Sequence, residues 1–121
     1  MLNLNKPIEV RMLKEAEDYV VSLDEKIQIK FLKIFERAQL GIKGDWFEKL
    51  KNSDGIYEFR YRGQSKFYRI FAFWDSTDEK TLIMATHGID KKSNKTPPKE
   101  IKKAEAIKKK YFDSKITNKK K

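Results

Sequence analysis

Residues 56–74 constrain this chain more than any other stretch. They are aromatic and β-branched and are interrupted once, at Gly63-Gln64. Two such runs separated by a glycine-bearing dipeptide predict a β-hairpin. Its register matters, because a slip of one residue moves every side chain to the opposite face of the sheet. With Gly63-Gln64 as a two-residue turn, Arg62 opposes Ser65, Arg60 opposes Phe67 and Glu58 opposes Arg69. One face then carries Tyr57, Phe59, Tyr61, Tyr68, Ile70, Ala72 and Trp74, almost wholly apolar and suited to packing under helices. The other carries Glu58, Arg60, Arg62 and Arg69 among Ile56, Phe67, Phe71 and Phe73. A three-residue loop would set Arg69 among Tyr57 and Phe59, burying a lone guanidinium at high cost unless it is paired. The two-residue register is therefore expected.

The flanking segments fill in the architecture. Residues 8–13 follow Pro7, alternate apolar with polar, then turn wholly apolar, and read as a short strand. Residues 14–23 read as a helix, with Ala16, Tyr19, Val20 and Leu23 at spacings of three and four. Ser22 and Glu25 have the spacing of a capping box, so a second helix is expected from near Asp24. Its stripe is Ile27, Phe31, Ile34, Phe35 and Ala38, and Gly41 ends it. Joined by almost no loop, the two helices are expected to form a hairpin. Residues 42–55 read as a connector pinned by Trp46, Phe47 and Leu50. Residues 75–80 read as a polar turn, 81–87 as a third meander strand and 90–94 as a basic loop. Thr96-Pro97 offers an N-cap with proline at the first helical position. Ile101, Ala104, Ile107 and Tyr111 give the last helix one apolar stripe. The fold class expected is α+β, with an N-terminal strand, a helical hairpin, a three-strand antiparallel meander and a C-terminal helix in one domain over residues 1–121. Residues 113–121 are expected to be a solvated basic tail.

Charge is distributed unevenly. The chain has 28 Lys and Arg against 18 Asp and Glu. Residues 91–121 contain 13 lysines against Glu100, Glu105 and Asp113, so the whole surplus of 10 lies there and the first 90 residues balance. A surplus so placed points to a polyanionic partner. The chain lacks cysteine, which removes disulfides, thiolate nucleophiles and zinc-thiolate sites and suits a reducing cytoplasm. No apolar run reaches the roughly 18 residues of a membrane span, and the opening Met-Leu-Asn-Leu-Asn-Lys lacks the apolar region of a signal peptide. A cytoplasmic protein without membrane contact is expected.

Arginine is scarce, with Arg60, Arg62 and Arg69 making up three of only five against 23 lysines. Lysines would serve for solubility. A rigid guanidinium fork can instead grip phosphate oxygens with two hydrogen bonds. The alternative is a Glu58–Arg69 cross-strand ion pair with Arg60 and Arg62 solvated. Antiparallel order returns the basic loop beside this face, giving a positive concavity with exposed aromatics that would suit single-stranded RNA. Lysines on a last helix can equally be a solvated face. His87, the one histidine, could act as acid or base or be a hydrogen-bonded strand residue. The spacing of His, Asp and Glu resembles no metal site and there is no glycine-rich phosphate loop, so no cofactor is expected and any phosphodiester chemistry is expected to be metal-free.

The order of elements resembles the RelE/ParE superfamily of type II toxins. Leu50-Lys51, Gly55-Ile-Tyr-Glu-Phe-Arg60, Phe67-Tyr-Arg-Ile-Phe71, His87-Gly-Ile-Asp-Lys-Lys92, Lys95-Thr-Pro97 and Glu100-Ile look like its phage-related HigB-type branch, with similarity over about residues 7–112. The resemblance implies a RelE-like fold and a ribosome-dependent endoribonuclease that cuts mRNA and is silenced by a cognate antitoxin, expected to be a helix-turn-helix, HigA-like protein. In such toxins the RNA's 2′-hydroxyl attacks the adjacent phosphate and leaves a cyclic phosphate. By position, Arg69 matches the arginine that stabilises the phosphorane, and Arg60 would hold the scissile phosphate. Lys91 and Lys92 would neutralise charge on the leaving group, with Arg62, Lys95 and Lys99 binding RNA. The proton acceptor is open among His87, Glu58 and a lysine. Better understood members place a Tyr or His near the C-terminus in the site, whereas Tyr111 lies on an apolar stripe here. Two other readings compete: a ParE-like gyrase poison, and an RNA- or ribosome-binding module without catalysis.

Overall fold

The computed structural model describes residues 7–119. The expectation about the opening six residues and the last two lysines of the tail lie outside the described residues. The elements run β1 (Ile8–Met12), α1 (Lys14–Ser22), α2 (Glu25–Gln39), β2 (Phe47–Lys49), β3 (Tyr57–Arg62), β4 (Phe67–Asp75), β5 (Thr81–Lys91) and α3 (Pro98–Lys119). The strands form one sheet in the order β1-β5-β4-β3-β2. β1 pairs parallel to β5, and the other pairs are antiparallel. The class is α+β, as expected.

Strand alternation divides the interior in two. On one face Phe59, Ile70, Ala72, Ile83 and Ala85 meet Ala16 and Val20 of α1 and Phe31, Ile34, Phe35 and Ala38 of α2. On the other, Ile56, Phe71, Phe73, Leu82 and Met84 meet Ala104 of α3. Fully buried Phe31, Phe59, Phe71 and Phe73 each contribute roughly 2–3 kcal/mol of apolar burial. The second face is therefore covered, which corrects the expected row of exposed aromatics: of Ile56, Phe67, Phe71 and Phe73, only Phe67 stays half-buried.

The hairpin register also differs. Arg62 pairs with Phe67, Arg60 with Arg69 and Glu58 with Phe71, so residues 63–66 form the loop, closed by Gly63 N–H donating to Lys66 O at 2.9 Å. The shift is two residues, an even number, and so both faces keep the side chains expected of them. In β5 the register slips where Phe71 pairs with His87 and Ala72 with Ala85. Thr86 is the extra residue of a β-bulge. Beyond it the strand continues to Lys91, four residues past the expected end.

Other boundaries moved for local reasons. The capping box does not form, because Ser22 Oγ donates back to Tyr19 O at 2.6 Å and Asp24, at the N-cap of α2, makes no side-chain cap bond. Gly41 does end that helix, at φ +75°, the left-handed conformation glycine adopts freely. The connector contains a short edge strand, β2, on β3. α3 starts at Pro98 rather than Pro97, and it continues through most of the expected tail to Lys119.

α3 is fastened at both ends. Near its start Glu100 Oε1 accepts from His87 Nε2 at 3.1 Å. Towards its end, buried Asp75 accepts from Tyr111 Oη at 2.6 Å, Lys115 Nζ at 2.8 Å and Thr77 Oγ1 at 2.6 Å. Burial alone would raise the Asp75 carboxyl, but donors from Lys115, Thr77 and Tyr111 outweigh it and hold the group well below the usual carboxylate range. The Tyr111 phenol is pushed up to about 12, by burial first and then by Asp75. These ties hold α3 against the sheet.

Candidate functional site

The β3–β4 register sets Arg60 directly opposite Arg69, a like-charge pairing that destabilises a sheet unless something offsets it. Glu58 does so. Its carboxylate is buried, with Oε1 accepting from Arg60 Nε at 2.8 Å and Oε2 from Thr96 Oγ1 at 2.9 Å. Arg69 Nε lies 3.4 Å from the same Oε2, an ion pair between side chains only 3% and 2% exposed. That Nε makes no well-aligned hydrogen bond. Glu48 Oε2 stands 3.6 Å from Arg60 Nη2 on the open side.

The far end of Arg69 is also occupied. Nη1 donates to Ser93 O at 3.4 Å, and Nη2 to Asn94 O, with Asn94 Oδ1 at 3.5 Å. Arg69 is thus enclosed between the carboxylate below and the loop after β5 above. The cross-strand ion pair weighed as an alternative from sequence is present, on a diagonal rather than straight across. Arg60 differs, with 39% of its side chain exposed. Arg62 is exposed, and its guanidinium carbon lies 5.4 Å from the centre of the Phe67 ring, with Arg69 at 5.5 Å. Two cations against one half-buried ring are held partly by its quadrupole.

The three arginines border a cleft of about 250 Å³ lined also by Asp45, Trp46, Tyr61, Phe67, Tyr68 and Asn94. Lys91 ends β5 opposite Phe67, and Lys92, Lys95 and Lys99 are exposed on the loop and the first turn of α3. The structure therefore brings Arg60, Arg62, Arg69, Glu58 and the origin of the basic loop to one end of the sheet. An open guanidinium pair, a half-buried ring and adjacent ammonium groups can hold phosphate oxygens and accept a stacked base.

His87 is not among them. It is buried under α3, its ring stacked on Phe71 at 4.9 Å between centres. Nε2–H donates to Glu100, and Nδ1 lies 2.9 Å from Thr86 Oγ1. Burial, then the charge of Lys103, holds its pKa below the ordinary value. Tyr111 is tied to Asp75 at the other end of β4 from Arg69, in keeping with its place on the apolar stripe. Thr96 and the Ser93 and Asn94 carbonyls were not anticipated. Thr96 read as a helix cap, and main-chain acceptors leave no sequence signal. Among the described residues no three His, Cys, Asp or Glu gather as a metal site, and no helix is long and apolar enough to cross a membrane.

A family model described as phage-derived protein Gp49-like (DUF891) matches residues 18–109. No curated protein matches the sequence. Among solved structures, the toxin–antitoxin complex RelBE2 from Mycobacterium tuberculosis is similar at 14% identity and a TM-score of 0.49, covering 75% of this chain and 98% of that one.

Proposed function

The chain belongs to the phage-derived Gp49-like family, and from that premise we propose that it is the toxin of a toxin–antitoxin system, an endoribonuclease that cuts mRNA on the ribosome. The observation that carries this reading is the gathering of Arg60, Arg62 and Arg69 with the Lys91–Lys95 loop around one cleft, in a chain whose sequence resembles the HigB-type branch. Its partners are then a cognate antitoxin, the ribosome and the message.

Cleavage needs the 2′-hydroxyl of the RNA to attack the neighbouring phosphate, with charge building on its oxygens and on the departing 5′-oxygen. Preorganised cations at those oxygens lower the barrier, because they need no reorganisation as the charge develops. Arg60 grips the scissile phosphate from the open side of the cleft. Lys91 and Lys92 neutralise the leaving oxygen. Arg62, Lys95 and Lys99 hold flanking phosphates, and Phe67 gives a base a surface to stack on. Arg69 reaches the phosphate only where an oxygen of the substrate replaces the loop carbonyls that now accept from it. Glu58 and His87 already have their polar atoms engaged by neighbouring side chains.

Induction in bacteria is expected to stop growth and translation. An Arg60→Ala, Lys95→Ala double variant is expected to restore both while still melting cooperatively, about 1 kcal/mol or less below the parent. A double variant that stays fully toxic overturns the site assignment.

A further inference from the structure

Lys95 is the loop cation whose anchorage is most fully defined. On its N-terminal side the main chain is pinned by Ser93 O and Asn94 O, both accepting from Arg69. On its C-terminal side Thr96 Oγ1 donates to Glu58 Oε2 at 2.9 Å. Within the loop Lys95 N–H donates to Ser93 Oγ at 3.1 Å. Every external tie leads to the same pair of buried side chains, Glu58 and Arg69, which are themselves joined at 3.4 Å.

The other oxygen of that carboxylate, Oε1, holds Arg60 Nε at 2.8 Å. One buried group therefore sets where a sheet arginine and a loop lysine stand relative to each other. The sequence makes this segment dependent on such ties. Thr96 precedes Pro97, which biases it to extended backbone, and residues 91–95 are all exposed. Little apolar contact holds the loop in place, so its position rests on the hydrogen bonds.

We propose that Glu58 and Thr96 are positioning residues, a latch that fixes the basic loop over the sheet so that Arg60 and Lys95 meet one substrate together. This rests on the reading of the cleft as an mRNA-cleaving site. Neither residue touches the RNA. Glu58 acts by splitting its two oxygens between the arginine and the threonine, and Thr96 by a single hydroxyl. Because the bonds run to a charged acceptor in a buried setting, losing the hydroxyl has a larger effect than losing a neutral surface bond.

The test uses the full chain with Thr96→Val, which keeps the shape and removes the donor, and Thr96→Ser, which keeps the donor. Hydrogen exchange at the amides of residues 93–96 and at the Nε–H of Arg60 and Arg69 reports the latch without any substrate. Cleavage of a defined message on purified ribosomes reports its consequence. Thr96→Val is expected to speed exchange across the loop and to lower kcat on the order of tenfold, with KM changed less than twofold because the remaining lysines still supply affinity. Thr96→Ser is expected to restore both. Unchanged loop exchange in Thr96→Val overturns the latch. Faster exchange with unchanged kcat overturns the positioning role. A parent chain that leaves the message intact defeats the cleavage reading and this role with it, and that result is seen before any variant is compared.

Discussion

His87 Nε2 and Glu100 Oε1 lie 3.1 Å apart and join the last strand to the first turn of α3. A carboxylate can only accept, so Nε2–H donates to Glu100, while Nδ1 lies 2.9 Å from Thr86 Oγ1, whose hydroxyl also reaches Phe71 O at 3.3 Å. The folded-state pKa of His87 lies below its ordinary value, through burial first and Lys103 next. As pH falls through about 6.5 the unfolded chain takes up a proton that the folded chain does not. Stability is expected to decline from neutral to mildly acid pH and to level off once the folded imidazole also protonates. Urea unfolding across that range measures it, and His87→Gln is expected to flatten the slope.

Asp75 acts in the same direction at lower pH. Its folded pKa is depressed, so its stabilisation is fully present above the ordinary carboxylate value of about 4 and is lost as pH falls towards the folded value. Asp75→Asn keeps the shape but weakens the ties to Tyr111 and Lys115. It is expected to cost about 2 kcal/mol at pH 7, read by thermal melting, and to release the second half of α3 in hydrogen exchange.

The two opposed arginines are expected to respond differently to truncation. Arg69→Ala leaves a buried carboxylate with a lost counter-ion and should cost roughly 3 kcal/mol. Arg60→Ala removes a half-exposed partner and should cost about 1 kcal/mol or less. Urea unfolding of both separates them, and equal losses contradict the enclosure of Arg69. Arg60 is accordingly the cleaner position for testing activity.

Gly88 is a packing position. A Cβ there would lie 2.1 Å from Tyr19 Cδ2, and the Tyr19 hydroxyl donates to Ile89 O at 2.8 Å. Gly88→Ala must displace the ring and strain or break that bond, at an expected cost of about 1–3 kcal/mol. Thermal melting checks it, and Tyr19→Ala combined with Gly88→Ala is expected to be less than additive.

Residue type and periodicity made much of this legible. The faces of the hairpin followed from parity alone, which is why they survived a register wrong by two: a turn dipeptide marks where a chain reverses, but Lys66 O accepting from Gly63 decides how many residues the loop holds. The stripes of α2 and α3 were readable because their apolar spacing matches 3.6 residues per turn. The bulge at Thr86 and the edge strand Phe47–Lys49 depend on pairing partners far along the chain, and local pattern does not carry them. In the site, Arg60, Arg62 and the loop lysines stood out by type and position. The enclosure of Arg69 did not, because it depends on carbonyls at Ser93 and Asn94 that every residue possesses. Thr96 looked like a helix cap from its place before proline, and only the folded geometry turns its hydroxyl to Glu58.

If the arginine cleft and its lysine loop cut RNA, mRNA 5′ ends mapped shortly after induction in bacteria record the cuts. New 5′-hydroxyl ends inside coding regions are expected with the parent chain and should be absent with the Arg60→Ala, Lys95→Ala variant. Growth arrest with intact messages would contradict the account, and accompanying DNA damage would turn it towards gyrase.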